Sequence, residues 1–318
     1  MEITLIKQYA DKIRLNIQTV MIGKSTQIDL IVTTLFANGH ILLEDVPGTG
    51  KTVLAKTLAK SIHTSFSRIQ FTPDLLPSDI SGLNYFNQKE GEFVFREGPI
   101  FTNILLGDEI NRATPRTQSS LLESMEERQV TIDGETRKLP GPFFVIATQN
   151  PVETAGTFPL PEAQLDRFMM QINMGFPTVD EEVAILGRFI DANPLNEIQS
   201  VCTMEELIDI QNSISKVYVH PVVMNYIARL MEATRTSPEI TLGVSPRGTL
   251  ALLRAAQSYA AIQGMSYVTP EIIKFLAPFV LAHRIILPNS YNRTQNSLSV
   301  IRNLLEKVPV PTEDFTNN

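Results

Sequence analysis

The spacing of apolar residues changes near residue 176. Before that point, short apolar runs alternate with segments that have apolar residues at helical spacing. The runs predict five strands: "ILLED", "FSRIQF", "NILLGDE", "FFVIATQN" and "FMMQINM". Near-continuous apolar strands that alternate with helices are typical of a parallel sheet with helices on both faces. We therefore predict an α/β domain with a five-stranded parallel sheet over residues 1–180.

After "GFPTVDEE" the pattern predicts helices only, which indicates a second, all-helical domain over residues 181–318. Thr203 and Glu206 have the spacing of a capping box. Ser245 and Thr269 each precede a proline, as expected where a helix begins. His220 also precedes a proline, and we interpret it as a capping or packing residue rather than a metal ligand.

A glycine-rich turn joins the first strand to a helix in "LLEDVPGTGKTVL". Gly48 and Gly50 can turn backbone N–H groups around an anion, and the following helix adds its positive end. In this pattern Lys51 would contact the β- and γ-phosphates and Thr52 would ligate Mg²⁺. The general pattern has a glycine where Asp45 stands, but that position precedes the anion cradle, so we expect little effect.

Polar residues also end two later strands. Asp108 and Glu109 follow "NILLG", and Asn150 follows "VIATQ". Ligands of open α/β sheets bind at this carboxyl edge. We predict that Asp108 holds Mg²⁺, that Glu109 polarises the attacking water, and that Asn150 orients it. The alternatives are that the two acids only solubilise a strand end and that Asn150 belongs to an ordinary strand-end turn before Pro151.

Composition narrows the choice of partners. The chain has 318 residues and a formal net charge of −7, which disfavours non-specific nucleic-acid binding. No apolar run approaches the length of a membrane span, and the N-terminus reads as an amphipathic helix rather than a signal peptide. The single cysteine, Cys202, excludes an intrachain disulfide. We therefore expect a cytoplasmic protein and a structural role for this thiol.

Four longer stretches have a recognisable combination of motifs: "LLEDVPGTGKT", "REGPIFTNILLGDEINRATPRTQSSLLESMEERQVTIDG", "VIATQNPVETAGTFPLPEAQLDRFM" and "LGVSPRGTLALLRAAQ". Through these stretches the chain resembles the MoxR family of AAA+ ATPases from Val20 to Leu287. Small departures, such as Gly107 in "LLGDE" and Met265-Ser266 in "GMSYVTP", have no expected catalytic consequence.

The resemblance implies roles for further residues. Arg167 in "LDRF" matches the arginine finger that completes a neighbouring subunit's site, and Arg247 in "SPRG" matches the second sensor. Ile22 and Gly23 fall where the family's backbone contacts adenine. Arg112 either reaches across a subunit interface or makes a surface ion pair. The implied nucleotide contacts of the loop are Gly48, Thr49, Gly50, Lys51, Thr52 and Val53.

The resemblance also assigns two insertions and a mode of action. Residues 72–101 match an insert in the second helix, and residues 129–139 match a hairpin that turns at Asp133-Gly134. For Phe86, Phe93 and Phe95 we prefer packing within a hairpin over contact with a client.

The implied protein is an ATP- and Mg²⁺-dependent homo-oligomeric ring, a hexamer, that remodels a client complex together with a partner bearing a von Willebrand factor A domain. The alternatives are a nucleic-acid motor or loader, which DNA binding would reveal, and a nucleotide-gated scaffold with negligible turnover.

Overall fold

A five-stranded parallel sheet forms the centre of the computed structural model, which describes residues 1–44, 48–150, 156–190, 194–288 and 293–311. The strands are β1 Ile41–Glu44, β2 Phe66–Gln70, β5 Ile104–Asp108, β8 Phe144–Gln149 and β9 Met170–Ile172. Their order across the sheet is β2-β5-β8-β1-β9. Each lies within one of the apolar runs that predicted a strand, so the predicted sheet is confirmed.

The three inner strands β1, β5 and β8 are buried on both faces: successive side chains of a strand point to opposite sides, and both sets are covered. Leu42, Leu105 and Val145 lie in the core under one face. Leu43 and Leu106, each one residue further along its strand, lie in the core on the other face. Helices supply the rest of both cores, which is the arrangement expected for continuous apolar strands.

Helices before and between the strands are α1 Ile3–Val20, α2 Ser25–Phe36, α3 Lys51–Ser61, α4 Pro77–Ser81, α5 Pro115–Glu127 and α6 Glu162–Leu165. In the described part of the chain, the helices after the last strand are α7 Val179–Phe189, α8 Met204–Ser213, α9 Pro221–Thr236, α10 Pro246–Ile262, α11 Pro270–Leu281 and α12 Arg293–Lys307. Helix α10 packs against both α1 and α2, which fixes the helical region to the α/β core.

The predicted helix starts are found where the sequence indicated. Thr203 and Glu206 form the capping box of α8. Ser245 Oγ accepts from the N–H of Gly248 at 3.3 Å, and His220 Nδ1 accepts from the N–H of Val222 at 3.2 Å. Thr269 occupies the N-cap position of α11, but its side chain makes no capping hydrogen bond.

Two antiparallel hairpins stand apart from the main sheet and contact each other. The first pairs β3 Gly82–Asn87 with β4 Glu92–Glu97, and the second pairs β6 Gln129–Ile132 with β7 Glu135–Lys138. The guanidinium carbon of Arg137 lies 4.1 Å from the ring centre of Phe95, which joins the hairpins. Phe86 and Phe93 pack edge to face with ring centres 5.4 Å apart, as expected for packing within a hairpin.

Candidate functional site

The glycine-rich turn after β1 has the backbone that phosphate binding requires. Gly48 and Gly50 have φ angles of 90° and 85°, in the left-handed region that glycine adopts without strain. Helix α3 begins directly after them, at Lys51. A helix N-terminus presents N–H groups that the helix itself does not satisfy, and its dipole favours an anion. The first turn of α3 has no acidic residue that would repel a phosphate.

The other residues assigned to this loop lie around the same turn. Thr49 precedes Gly50, and Lys51, Thr52 and Val53 form the start of α3, all of them half-buried. A β-carbon added at Gly48 would meet nothing within 4 Å, so there is open space beside this backbone. The turn therefore fits a phosphate chain. Asp45 lies outside the described residues.

The two acids at the end of β5 are held by a buried threonine of β8. The Thr148 hydroxyl donates to Asp108 Oδ1 at 2.7 Å and accepts the N–H of Glu109 at 2.8 Å. Glu109 itself has a left-handed backbone, with φ of 56°, so the chain turns sharply after Asp108. Sequence reasoning missed Thr148, although a polar residue within the apolar run "FFVIATQ" was a signal.

Basic and amide side chains surround the same carboxylates. Arg68 Nη2 lies 2.7 Å from Asp108 Oδ2. Gln70 Nε2 donates to Glu109 Oε2 at 2.8 Å, and Arg112 Nη1 lies 3.1 Å from the same oxygen. Arg112 thus has an ion pair within its own chain. Together these partners fix both carboxylates at the sheet edge.

The sheet order brings the loop, the acids and Asn150 to one edge. Strand β8 lies between β1 and β5, with Leu43 opposite Thr148 and Gly107 opposite Ala147. Asn150 directly follows β8 at this edge. Neighbouring strands are about 4.8 Å apart, so the ends of β1 and β5 are separated by roughly 10 Å. The Asp108 carboxylate and the Thr52 hydroxyl are hard oxygen ligands of the kind Mg²⁺ prefers, so this donor set suits a Mg²⁺–phosphate complex.

Arg167 and Arg247, far apart in the sequence, converge on one carboxylate. Arg167 Nε lies 3.2 Å from Glu126 Oε2 without hydrogen-bond geometry, so the contact is a charge pair. Arg247 Nη2 contacts the other oxygen, Glu126 Oε1. Glu126 lies in the last turn of α5 and was not singled out from the sequence. Two guanidinium groups on one carboxylate leave the cluster with a net positive charge.

A buried arginine positions the segment that carries Arg167. Arg284 is 8% exposed; its Nε lies 2.6 Å from Asp166 Oδ1, and its Nη2 donates to the carbonyls of Asp166 and Phe168 at 3.0 and 2.7 Å. Ser245 Oγ also donates to Asp166, at 2.9 Å. Asp166, the residue directly before Arg167, therefore contacts both Arg284 and Ser245, the N-cap residue of the helix that carries Arg247.

The segment assigned to adenine lies next to the phosphate loop. The Met21 methyl is 3.6 Å from the position of a β-carbon added at Gly50. Gly23 has a φ of 70°, and a β-carbon there would collide with the carboxylate of Glu181 in α7. The first turn of α7 thus packs against the Ile22-Gly23 backbone.

Three further observations bear on function. Cys202 is buried, and burial, reinforced by the charge of Glu206, raises the pKa of its thiol to about 12, as suits a structural role. Among the residues that the structure describes, no helix is long and apolar enough to cross a membrane. In the same ranges, no three His, Cys, Asp or Glu side chains are grouped so as to hold a metal ion.

A parallel sheet of this order, with a phosphate loop after β1, an acidic pair after β5 and a helical region behind, defines a P-loop protein of the AAA+ class. Two protein-family models match the chain and indicate the same class. Residues 40–170 match the family model of the ATPase family associated with various cellular activities (AAA), and residues 232–301 match that of the AAA lid domain.

Three similar proteins indicate the family within the AAA+ class. The chain is 48% identical to the uncharacterized protein YeaC of Bacillus subtilis over 94% of this chain and 93% of that one. It is 38% identical to Chaperone MoxR1 of Mycobacterium tuberculosis, over 93% and 80%. A crystal structure of a candidate ATPase from Cytophaga hutchinsonii superposes with a TM-score of 0.89 at 38% identity, covering 98% and 97% of the two chains. The chain belongs to the MoxR family of AAA+ ATPases.

Proposed function

We propose that this protein hydrolyses ATP with Mg²⁺. The observation that carries the proposal is the meeting of the phosphate loop and the Thr148-held acids at one sheet edge. Gly48 to Val53 would hold the phosphates, and Lys51 would balance the charge of the β- and γ-phosphates. Bound Mg²⁺, held by Thr52 and Asp108, would neutralise charge that develops on the phosphates. Glu109 would accept a proton from the attacking water, and Asn150 would orient that water.

The active form in this proposal is a homo-oligomeric ring, a hexamer. Arg167 would reach the nucleotide of a neighbouring subunit and stabilise the charge on the transferred phosphoryl group. Because Arg247 contacts the same carboxylate as Arg167, the two arginines would act on the same nucleotide. A guanidinium that completes another chain's site has no use in a monomer, so turnover would require assembly.

ATP turnover would drive chaperone-like remodelling or maturation of a client complex in the cytoplasm. The name of the relative Chaperone MoxR1 supports this class of activity. The two joined hairpins would project toward the centre of the ring and form the client-facing surface. A partner with a von Willebrand factor A domain would deliver the client. A pull-down with Glu109→Gln, which holds ATP without turning it over, would identify both partners.

Phosphate release tests the catalytic part directly. Glu109→Gln should bind ATP with the wild-type affinity and hydrolyse it at least ~100-fold more slowly, because the general base is lost. Glu123→Gln, an exposed glutamate of α5, is the matched control and should hydrolyse ATP normally. Chelation of Mg²⁺ should abolish turnover. Normal turnover by Glu109→Gln would remove Glu109 from this role.

A further inference from the structure

Helix α7 presents an apolar face to solvent. Val179, Val183, Leu186 and Ile190 are 77%, 63%, 69% and 77% exposed. Their spacing of four, three and four residues places them on one stripe along the helix. We call these four residues the α7 stripe. Phe176, just before the helix, is 72% exposed and extends the same apolar surface.

A helix with an exposed apolar face is normally covered by another protein surface. Among the α7 side chains that the structure describes, none is fully buried. A helix of 11 residues is marginal by itself and is normally stabilised by burial of its apolar face. Among the described contacts, Arg188 Nη1 ties the helix to the core by donating to the carbonyls of Gln18 and Thr19 at 2.7 and 2.6 Å. A contiguous exposed apolar surface of this kind marks an interaction site.

The stripe borders the proposed nucleotide site. Arg188 holds α7 to the end of α1, and Glu181 packs against Gly23 in the segment assigned to adenine. Lys24 Nζ donates to the carbonyl of Phe176 at 2.8 Å, so the approach to α7 is fixed to the same segment. A chain that brings an arginine to this nucleotide therefore passes close to the stripe.

The surface around Arg247 carries exposed apolar side chains that could cover the α7 stripe. Leu250 lies three residues after Arg247 on α10, so the two share a face of that helix. Leu250 and Leu242 are each 53% exposed. Asp180 and Glu182, in the first turn of α7, are exposed acids beside the stripe. They complement the net positive charge of the two arginines that share Glu126.

We propose that the α7 stripe is the docking surface for a second copy of this chain. Leu242 and Leu250 of that copy cover the stripe, and its Arg167 and Arg247 thereby reach the nucleotide. The two surfaces are different parts of one chain, so the contact is head-to-tail and repeats until a ring closes. This inference rests on the proposed function, since it assigns the surface through which that ring forms.

Sedimentation velocity of the full chain with ATP tests the docking surface. Leu186→Asp should weaken association by at least ~100-fold, because a charge replaces a central apolar contact. Met224→Asp is the matched control: it makes the same kind of change at a 48% exposed position of α9, and it should assemble as the wild type does. Circular dichroism and nucleotide binding at low protein concentration confirm that both variants are folded. Wild-type assembly by Leu186→Asp would overturn the proposal.

Cross-linking tests which surface covers the stripe. Cys202 is buried and does not interfere. A mixture of Leu186→Cys and Leu250→Cys chains should be joined by a short bismaleimide, whereas Leu186→Cys alone should give no dimer. A dimer from Leu186→Cys alone would indicate a two-fold contact and refute the head-to-tail arrangement. Absence of the mixed product would exclude the Leu250 surface.

The outcomes also separate this inference from the proposed function. If the wild-type chain hydrolyses ATP but never associates, both the ring and the docking surface are wrong. If it associates and Leu186→Asp associates equally well, only the docking surface is wrong. If Leu186→Asp assembles normally but no longer captures a client, the stripe binds the client instead, and the proposal also fails.

Discussion

Replacement of Thr148 by valine should disturb the acidic pair without changing the shape of the core. Thr148 is 1% exposed, and its hydroxyl makes a hydrogen bond to each of the two acids. Valine has nearly the same volume but no hydroxyl. Asp108 therefore loses a donor, and the N–H of Glu109 loses its acceptor.

The structure sets the size of the effect. A hydrogen bond to a carboxylate contributes about 1.5–3 kcal/mol, and a buried N–H left without an acceptor costs about 1–3 kcal/mol. We expect the free energy of unfolding to fall by about 3 kcal/mol. A displacement of Glu109 should lower turnover by about 10- to 100-fold. The Mg²⁺ concentration at half-maximal turnover should rise about 10-fold, because Asp108 is no longer oriented.

Urea unfolding and phosphate release at varied Mg²⁺ measure these quantities. Thr34→Val is the matched control, since Thr34 is fully buried and its hydroxyl donates only to the carbonyl of Leu30. It should cost about 1 kcal/mol and leave turnover unchanged. Turnover by Thr148→Val within twofold of the wild type, at unchanged Mg²⁺ dependence, would refute the assigned role of Thr148.

Three further substitutions test separate parts of the structure. Burial lowers the pKa of His40 to about 3, so the folded chain keeps this side chain neutral while the unfolded chain protonates it below about pH 6.5. The free energy of unfolding therefore falls by about 2 kcal/mol as the pH drops from 7 to 5. His40→Gln should remove this part of the pH dependence measured by urea unfolding. Arg284→Met should lower the free energy of unfolding by about 3–5 kcal/mol, because it breaks a buried ion pair. Glu126→Gln should lower turnover several-fold and leave ATP affinity unchanged, because it weakens the contact that holds both arginines.

Each of these has a control and a contradicting result. His63→Gln, at an exposed histidine, should keep the pH dependence of the wild type; equal slopes for the two histidine variants would contradict the account of His40. Arg284→Lys should be less harmful than Arg284→Met, and a neutral effect of both would show that the ion pair does not matter. Glu127→Gln changes the exposed residue next to Glu126 and should turn over ATP at the wild-type rate. If Glu126→Gln turned over ATP as fast as Glu127→Gln, Glu126 would have no positioning role.

Local pattern was enough to predict the sheet and to place the candidate site at its carboxyl edge. The three inner strands β1, β5 and β8 fall within apolar runs, because a strand buried on both faces needs apolar residues at successive positions. Gly48 and Gly50 were recognisable because few other residues adopt their backbone angles. The acids at the end of β5 could be placed because the carboxyl ends of parallel strands share an edge.

Contacts between distant parts of the chain could not be read in this way. Arg284 and Asp166 are 118 residues apart, and Glu126 meets Arg247 across 121 residues. Nothing in the local sequence of either arginine indicates its partner. Periodicity likewise identifies the apolar face of α7, but it does not show that this face points away from the protein's own core. Such features depend on how the elements pack, which becomes visible only in three dimensions.

The central claim, that one subunit completes the ATPase site of its neighbour, is tested most directly by mixing two inactive variants. Glu109→Gln lacks the proposed base but keeps Arg167, and Arg167→Ala lacks the proposed finger but keeps Glu109. Each alone should be at least ~100-fold slower than the wild type. In equal mixtures that exchange subunits, a quarter of the head-to-tail interfaces pair an intact base with an intact finger, so phosphate release should recover to about a quarter of the wild-type rate. No recovery in mixed rings, or full activity of Arg167→Ala alone, would contradict the account.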